Sequence, residues 1–344
     1  MVFGFSRRLK QENKEREILK KVIKLDKLKI VTNENYITDI NLNIFTTIIK
    51  NGQIVEYRYE QQVPYLLYIE KDIVKQELVI EFSGKILEDK YPLLITKDTI
   101  EICFENINKL AICHINVPEI LQNSVVVKAD VLHDVCCGSY QQLISTLKTS
   151  VKNHNRYLSR VIHGTFVIEK NVVSRSRKVR MTIYDKAAEM QLKANQEYLD
   201  RLTNRDEVAE YFKDKVRFEL NLNSMEQIRK HLNIHDTMLY NVLHAEANPI
   251  VEFIDKAFVL EEPAPIDMKL RDIERLALLE SVDRDMTKLE MIVRKHSSAK
   301  SHITQLMQPY RNLLKTIEQK SENYLQSIRN VLLVEIFLAF IVSI

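Results

Sequence analysis

Residues 175–192, RSRKVRMTIYDKAAEMQL, change period in the middle and so constrain the fold more than any other stretch. Val179, Met181 and Ile183 alternate with Lys178, Arg180, Thr182 and Tyr184, the period-two pattern of a strand with one apolar and one polar face. From Asp185 the composition turns helical, with Asp185 placed as a cap and no Gly or Pro to interrupt the helix. Tyr184 therefore sits where a strand hands over to a helix, a place suited to an anion because the first helical N–H groups are unpaired and the helix dipole is positive there.

Two further stretches repeat this logic. In residues 215–223, Val216, Phe218, Leu220 and Leu222 oppose Arg217, Glu219, Asn221 and Asn223. In residues 125–132, Lys128 and Asp130 oppose Val127, Ala129 and Val131. If the three strands are neighbours, two carboxylates and a phenol share one surface with Lys128, Arg180 and Arg217. Such a surface suits a divalent metal beside a polyanion.

The rest of the chain frames this centre. Its 344 residues, 45% hydrophobic, suffice for a sizeable core and for two domains or one large one with appendages. The net charge is only +3, but between residues 7 and 29 ten Lys and Arg stand against four acids, and residues 1–24 read as a basic helix. Residues 25–135 read mainly as strands, among them 66–73, 76–87, 99–107 and 124–134, with a helix near 107–111. Residues 140–162 have helical spacing up to His163 and Gly164, and 164–173 followed by 178–184 read as consecutive strands joined at a Ser/Arg turn. The acidic, Pro-containing EEPAPIDM at 261–268 reads as a linker, and 268–344 as a helical C-terminal region whose apolar tail, 331–344, is too short to span a bilayer. The expected class is α+β, an antiparallel sheet with packed helices occupying 25–260, plus the helical region.

Several chemistries are excluded or unsupported. With five glycines there is no GxxxxGK[ST] and no GxGxxG, so no nucleotide cradle is visible. Cys103, Cys113, Cys136 and Cys137 have no framework spacing, which fits a reducing cytoplasm, and HDVCC at 133–137 reads as small buried thiols rather than a chelate. His231 and His235 lack a third ligand. On the residues alone, Tyr184 reads as a sheet-rim tyrosine, and Asp130 and Glu219 as ordinary solvent-facing acids.

The order VVKADVLHD, HGTFVIEKN, VRMTIYDKAAEM, VRFELNLNSMEQIRKHL resembles the gene II/X family of filamentous-phage replication initiators and the related Rep proteins of rolling-circle plasmids. It covers roughly residues 25–240. Its most specific pieces are Tyr184, Lys186 and Glu189, and the later Arg217, Phe218 and Glu219. The resemblance implies a bacterial cytoplasmic enzyme that nicks and rejoins one DNA strand at an origin. Tyr184 would be the nucleophile, forming a 5′-phosphotyrosyl link, with Lys186 lowering its pKa or clamping the phosphate. Mg²⁺ or Mn²⁺ would be held by Asp130, Glu219 and Glu189. No HxH triplet of the kind many such enzymes carry is present. Lys128, Lys170, Arg175, Arg177, Lys178, Arg180 and Arg217 would contact phosphates. The implied partners are double- and single-stranded origin DNA, a host helicase and polymerase, and a second copy of the chain, with no membrane contact. The rival readings are a non-catalytic origin-binding repressor, a conjugative relaxase, and a membrane-associated scaffold.

Overall fold

The structure, a computed structural model, describes residues 22–152, 157–172, 178–259, 269–296, 300–317 and 328–332. The expected basic N-terminal helix, the 261–268 linker and most of the apolar tail lie outside the described residues, as do Arg175 and Arg177. Among the described residues twelve strands run in chain order: β1 Leu25–Asn33, β2 Ile37–Thr38, β3 Thr46–Lys50, β4 Gln53–Gln61, β5 Leu67–Asp72, β6 Glu77–Ser83, β7 His114–Ile115, β8 Val125–Cys136, β9 Tyr157–Ile162, β10 Thr165–Lys170, β11 Arg180–Asp185 and β12 Lys215–Leu222. Ten of them form one antiparallel sheet in the order β3-β4-β5-β6-β1-β8-β12-β11-β10-β9, and β2 and β7 pair separately.

The sheet is two copies of one topology. Each half starts at a central strand, β1 or β8, crosses to an outer edge, β3 or β9, and returns strand by strand until β6 or β12 lies beside the strand that began it. No repeat is obvious in the sequence; the duplication appears in the strand order. Both outer hairpins turn on a pair of residues with positive φ: Asn51 and Gly52 (51° and 77°), and His163 and Gly164 (47° and 82°). That geometry belongs to the tight turns whose twist matches paired strands. It also decides the fate of residues 157–162, which are the strand β9 rather than the end of a helix.

The helices are α1 Ile100–Lys109, α2 Val117–Asn123, α3 Tyr140–Ser150, α4 Lys186–Met190, α5 Lys193–Leu199, α6 Arg205–Phe212, α7 Met225–Leu232, α8 Leu239–Leu243, α9 Pro249–Ala257, α10 Leu270–Ser281, α11 Met286–His296 and α12 Lys300–Ile317. The architecture is α+β, as expected. Residues 99–107, read as strand, are instead helix α1: Cys103, Phe104 and Ile107 are buried on one side at helical spacing. Helices α7, α8 and α9 pack on β8, with α7 and α9 reaching β12. The main core runs from Ile23 to Phe258 and takes in Ile328 and Leu332, while α10, α11 and α12 enclose a smaller one around Leu279, Leu289 and Met307. Of the HDVCC thiols, Cys136 is exposed and Cys137 half-buried, so the expected burial does not hold there. Among the described residues, no helix is long and apolar enough to cross a membrane.

The two faces of the sheet differ as the alternation requires. Leu28, Ile30, Ile80, Phe82, Val131, Leu220, Met181, Ile183, Phe166 and Ile168 fill the core. On the opposite face, register lines up Glu169, Arg180, Asn221, Asp130 and Lys27 across five adjacent strands.

Candidate active site

The three strands read from alternation are neighbours, in the order β8-β12-β11. Tyr184 is register-paired with Arg217, Arg217 with Asp134, and Asn221 with Asp130. Tyr184 is half-buried near the end of β11 and donates its hydroxyl hydrogen bond to Glu219 Oε2 at 3.1 Å. The Asn221 amide nitrogen then donates to Glu219 Oε1 at 2.8 Å and to Asp130 Oδ1 at 2.9 Å. Tyr184, Glu219 and Asp130 thus form one hydrogen-bonded file across β11, β12 and β8.

Burial, and then the charges of Asp130 and Asp26, push the Glu219 carboxyl up to about 7. Burial is also the main cause that raises Asp130 to about 6, against the lowering effect of its bond from Asn221. These protons belong to the pair more than to either residue. Burial, with Glu219 beside it, holds the Tyr184 phenol well above its ordinary value despite the opposing Arg217 charge.

Behind this file lies a second, cationic one. Asp185 caps α4, accepting from the Ala188 N–H at 3.0 Å, and so turns Lys186 inward. Lys186 is 1% exposed. Its ammonium donates to Tyr91 at 3.1 Å and to Glu189 Oε2 at 2.5 Å, and lies 6.0 Å from the centre of the Tyr184 ring. Burial and the neighbouring Arg217 lower its pKa, with Glu189 and Asp26 opposing. Glu189 also accepts from Asn195 at 2.8 Å, so it serves Lys186 and Asn195 rather than the Asp130 and Glu219 pair.

Arg217 differs most from the sequence expectation. It has no exposed surface, and its guanidinium grips Asp134 with two bonds of 2.7 and 2.8 Å while Nη1 donates to Asp26 at 2.7 Å and to Tyr91 at 3.1 Å. A buried, fully engaged arginine cannot reach a DNA phosphate, so Arg217 is withdrawn from the phosphate contacts. Its polar-face position is real, but Asp134 follows Asp130 on the same face of β8 and closes over it. Asp26 arrives from an irregularity between Leu25 and Lys27 in β1, and Tyr91 from the 3₁₀ turns of Gly84–Leu93, packed against Phe212 of α6. Burial would raise Asp26, but Arg217 and Lys186 bring it below the usual carboxylate range.

Sequence reasoning missed Asp26, Tyr91, Asp134 and Asn221. Alternation alone puts Asp134 and Asn221 on the polar face two strand periods from Asp130 and one from Glu219. Nothing local marks Asp26 or Tyr91. Of the remaining basic candidates, Lys128, Lys170 and Arg180 are exposed and Lys178 is half-buried. Lys178 and Arg180, with Arg160, converge on the nearly buried Glu169 at 2.9–3.3 Å.

Among the described residues no group of three or more His, Cys, Asp or Glu is arranged to hold an ion. Asp130 and Glu219 nevertheless suit Mg²⁺ or Mn²⁺ bound with water: they are two neighbouring oxygen donors bridged by Asn221, the Asp130 charge helps to raise Glu219, and Mg²⁺ commonly takes one or two carboxylates and completes its shell with waters and substrate phosphate.

No curated protein matches the chain. Residues 96–241, which hold β8, the tyrosine strand and β12, match the family model for the N-terminal region of the phage gene II replication-associated protein. Over that segment, less than half of the chain, the protein is similar to the phage gene II replication-initiator family.

Proposed function

We propose that the protein nicks and rejoins one strand of origin DNA through Tyr184. The observation that carries this reading is the file Tyr184–Glu219–Asn221–Asp130, in which a phenol on a sheet rim already hands its hydrogen to a carboxyl whose pKa lies near 7. A general base works best when its pKa is close to the working pH and it lies within hydrogen-bond reach of the proton. Glu219 meets both conditions. As the phenol proton passes to Glu219, the Tyr184 oxygen attacks the phosphorus; the bond to the 3′ oxygen breaks, that oxygen gains a proton, and a 5′-phosphotyrosyl link and free 3′-OH result. Rejoining is the reverse, with the 3′-OH attacking the phosphotyrosyl phosphorus. It needs no nucleotide cofactor, consistent with the missing phosphate cradle.

A divalent ion held by Asp130 and Glu219 would neutralise charge on the scissile phosphate, and by lowering the Glu219 carboxyl from its ion-free value would take over from it the task of stabilising the phenolate. Lys186 keeps a positive charge beside the tyrosine ring, and Arg217 fixes the floor on which Tyr184 and Lys186 rest. Lys128, Lys170, Lys178 and Arg180 hold the DNA backbone on the polar face.

The test is a nicking assay on supercoiled plasmid carrying the DNA that flanks the gene, with Mg²⁺ or Mn²⁺, comparing the parent with Tyr184→Phe. A nicked product with protein on its 5′ end, absent for Tyr184→Phe, is expected. Equal nicking by both would remove Tyr184 from the mechanism; binding without nicking by either would favour an origin-binding repressor.

A further inference from the structure

The open polar face holds a cavity of about 210 Å³ well away from Tyr184, in the first half of the sheet. Its floor is Glu81 of β6, to which Lys27 and Lys29 of β1 are ion-paired at 2.7 and 3.2 Å. Tyr68 of β5 forms a wall, with the Lys29 ammonium 5.2 Å from its ring centre. The loop between β4 and β5 supplies the lip through Gln62 and Leu66, and Leu66 is 40% exposed.

These groups together define a ligand. The two lysines are already answered by Glu81, so the cavity is poorly suited to a second phosphate. It offers instead an aromatic wall, an apolar lip, the amides of Gln61 and Gln62, and ammonium donors beside the carboxylates of Glu81 and Glu60. That combination fits a flat heterocycle with a hydrogen-bonding edge. The volume lies below the roughly 300–1,000 Å³ of sites that enclose drug-sized molecules, so it admits one ring system and not a chain of them.

Tyr184 lies on β11; β1 is three strands away and β5 five. At about 4.8 Å per strand the cavity is roughly 14–24 Å from the tyrosine along the same face, a distance several nucleotides of single strand can cover. Lys128 and Asp130 lie between, on β8.

We infer that this cavity, walled by Tyr68 and Leu66, takes one unpaired base of the single strand whose phosphate lies at Tyr184. The inference rests on the nicking reading for the strand's identity, but binding can be measured without nicking. It makes the first half of the sheet a reader of the strand and leaves the chemistry to the second half.

The test uses the full chain carrying Tyr184→Phe and compares binding of single-stranded dodecamers of dA, dC and dT with a dodecamer of abasic residues that offers the same phosphates. Tyr68→Leu, added to that chain, should weaken the base-bearing strands roughly tenfold, in the range of one base stacked on an aromatic ring, and leave the abasic strand unchanged. Leu66→Trp, an exposed substitution that fills the mouth, should do the same and decides the matter if Tyr68→Leu disturbs folding. Equal effects on both kinds of strand, or none, would overturn the inference. If base-selective loss occurs in a protein that never nicks, the cavity stands and the nicking reading falls; if nicking proceeds with no base-selective loss, the reverse holds.

Discussion

A guanidinium with no exposed surface needs its N–H groups answered, and at Arg217 Asp134, Asp26 and Tyr91 do so. Deleting one member of such a network leaves buried charge without a partner, which costs more than the network contributes against an apolar substitute. Arg217→Ala should therefore lower the unfolding free energy by about 3–5 kcal/mol, measured in guanidinium chloride. Arg217→Lys keeps the charge but loses the fork and should fall between that variant and the parent. A loss below about 1 kcal/mol for Arg217→Ala would mean that the network is open to water. The Asp130 and Glu219 pair makes the opposite kind of statement about pH. Their folded values, about 6 and about 7, lie above the ordinary 3.8 and 4.5, so the folded protein keeps protons that the unfolded chain has released. Stability from this pair is complete below about pH 4 and is lost as pH rises to about 7, the sign linkage requires for raised carboxyl values. Without divalent ions the melting temperature should fall between pH 5 and pH 8; Asp130→Asn should flatten that fall, and Mg²⁺ at pH 8 should reverse it in the parent by binding the folded state. A melting temperature that rises over this range in the metal-free parent would contradict the pair.

At the scale of elements, the outer turn between β9 and β10 bears the least adjustable geometry near the site. Gly164 sits at φ 82°, and its carbonyl accepts from the Tyr140 hydroxyl at 2.6 Å, which also donates to Ile183 of the tyrosine strand at 2.9 Å. A side chain in this left-handed region is strained, so Gly164→Ala should cost about 1–2 kcal/mol in thermal or denaturant unfolding, while His163→Asn, a residue that tolerates such φ, should cost nothing measurable. The same hairpin shows why part of the fold was unreadable. Residues 140–162 keep helical spacing without Gly or Pro, and what makes 157–162 a strand is its pairing with β10, a contact outside any local window. Likewise 186–199 is two short helices broken at Gln191 and Leu192, although its composition is helical throughout. What alternation does report is which face a residue takes. That sufficed to bring Asp130, Tyr184 and Glu219 onto one surface, because their strands are half-buried and adjacent. It did not reveal that Arg217 is sealed in, because the seal comes from Asp26 and Tyr91, more than a hundred residues away in sequence.

At the scale of the whole molecule, the duplicated sheet has one apolar face covered by helices and one polar face that Tyr91 and Phe212 cover at Arg217, while Lys128 and Arg180 on that face stay exposed. The two halves are alike in strand order but not in chemistry: the tyrosine, Glu219 and Asp130 belong to the second, and the first contributes Asp26, Lys27 and Lys29 across the centre. Charge on that face is arranged unequally, which makes DNA affinity predictable residue by residue. Lys128 is exposed on β8, between the cavity and the tyrosine, so Lys128→Gln should lower affinity and reduce the slope of log affinity against log salt by nearly one, the share of one neutralised phosphate. Arg160, Lys178 and Arg180 instead spend part of their charge on Glu169, which they hold below the usual carboxylate range against the burial that would raise it. Glu169→Gln removes that share while leaving the three cations in place. It should tighten DNA binding and steepen the salt dependence, and at the same time lower stability, because three like charges then crowd a side chain that no longer answers them. Titrating duplex and single-stranded DNA at several salt concentrations separates the two effects, since stability is read in the absence of DNA. If Glu169→Gln leaves the salt slope as it was, the β9 to β11 end of the sheet does not face the DNA, and the backbone must instead run from Tyr184 over Lys128 toward β1.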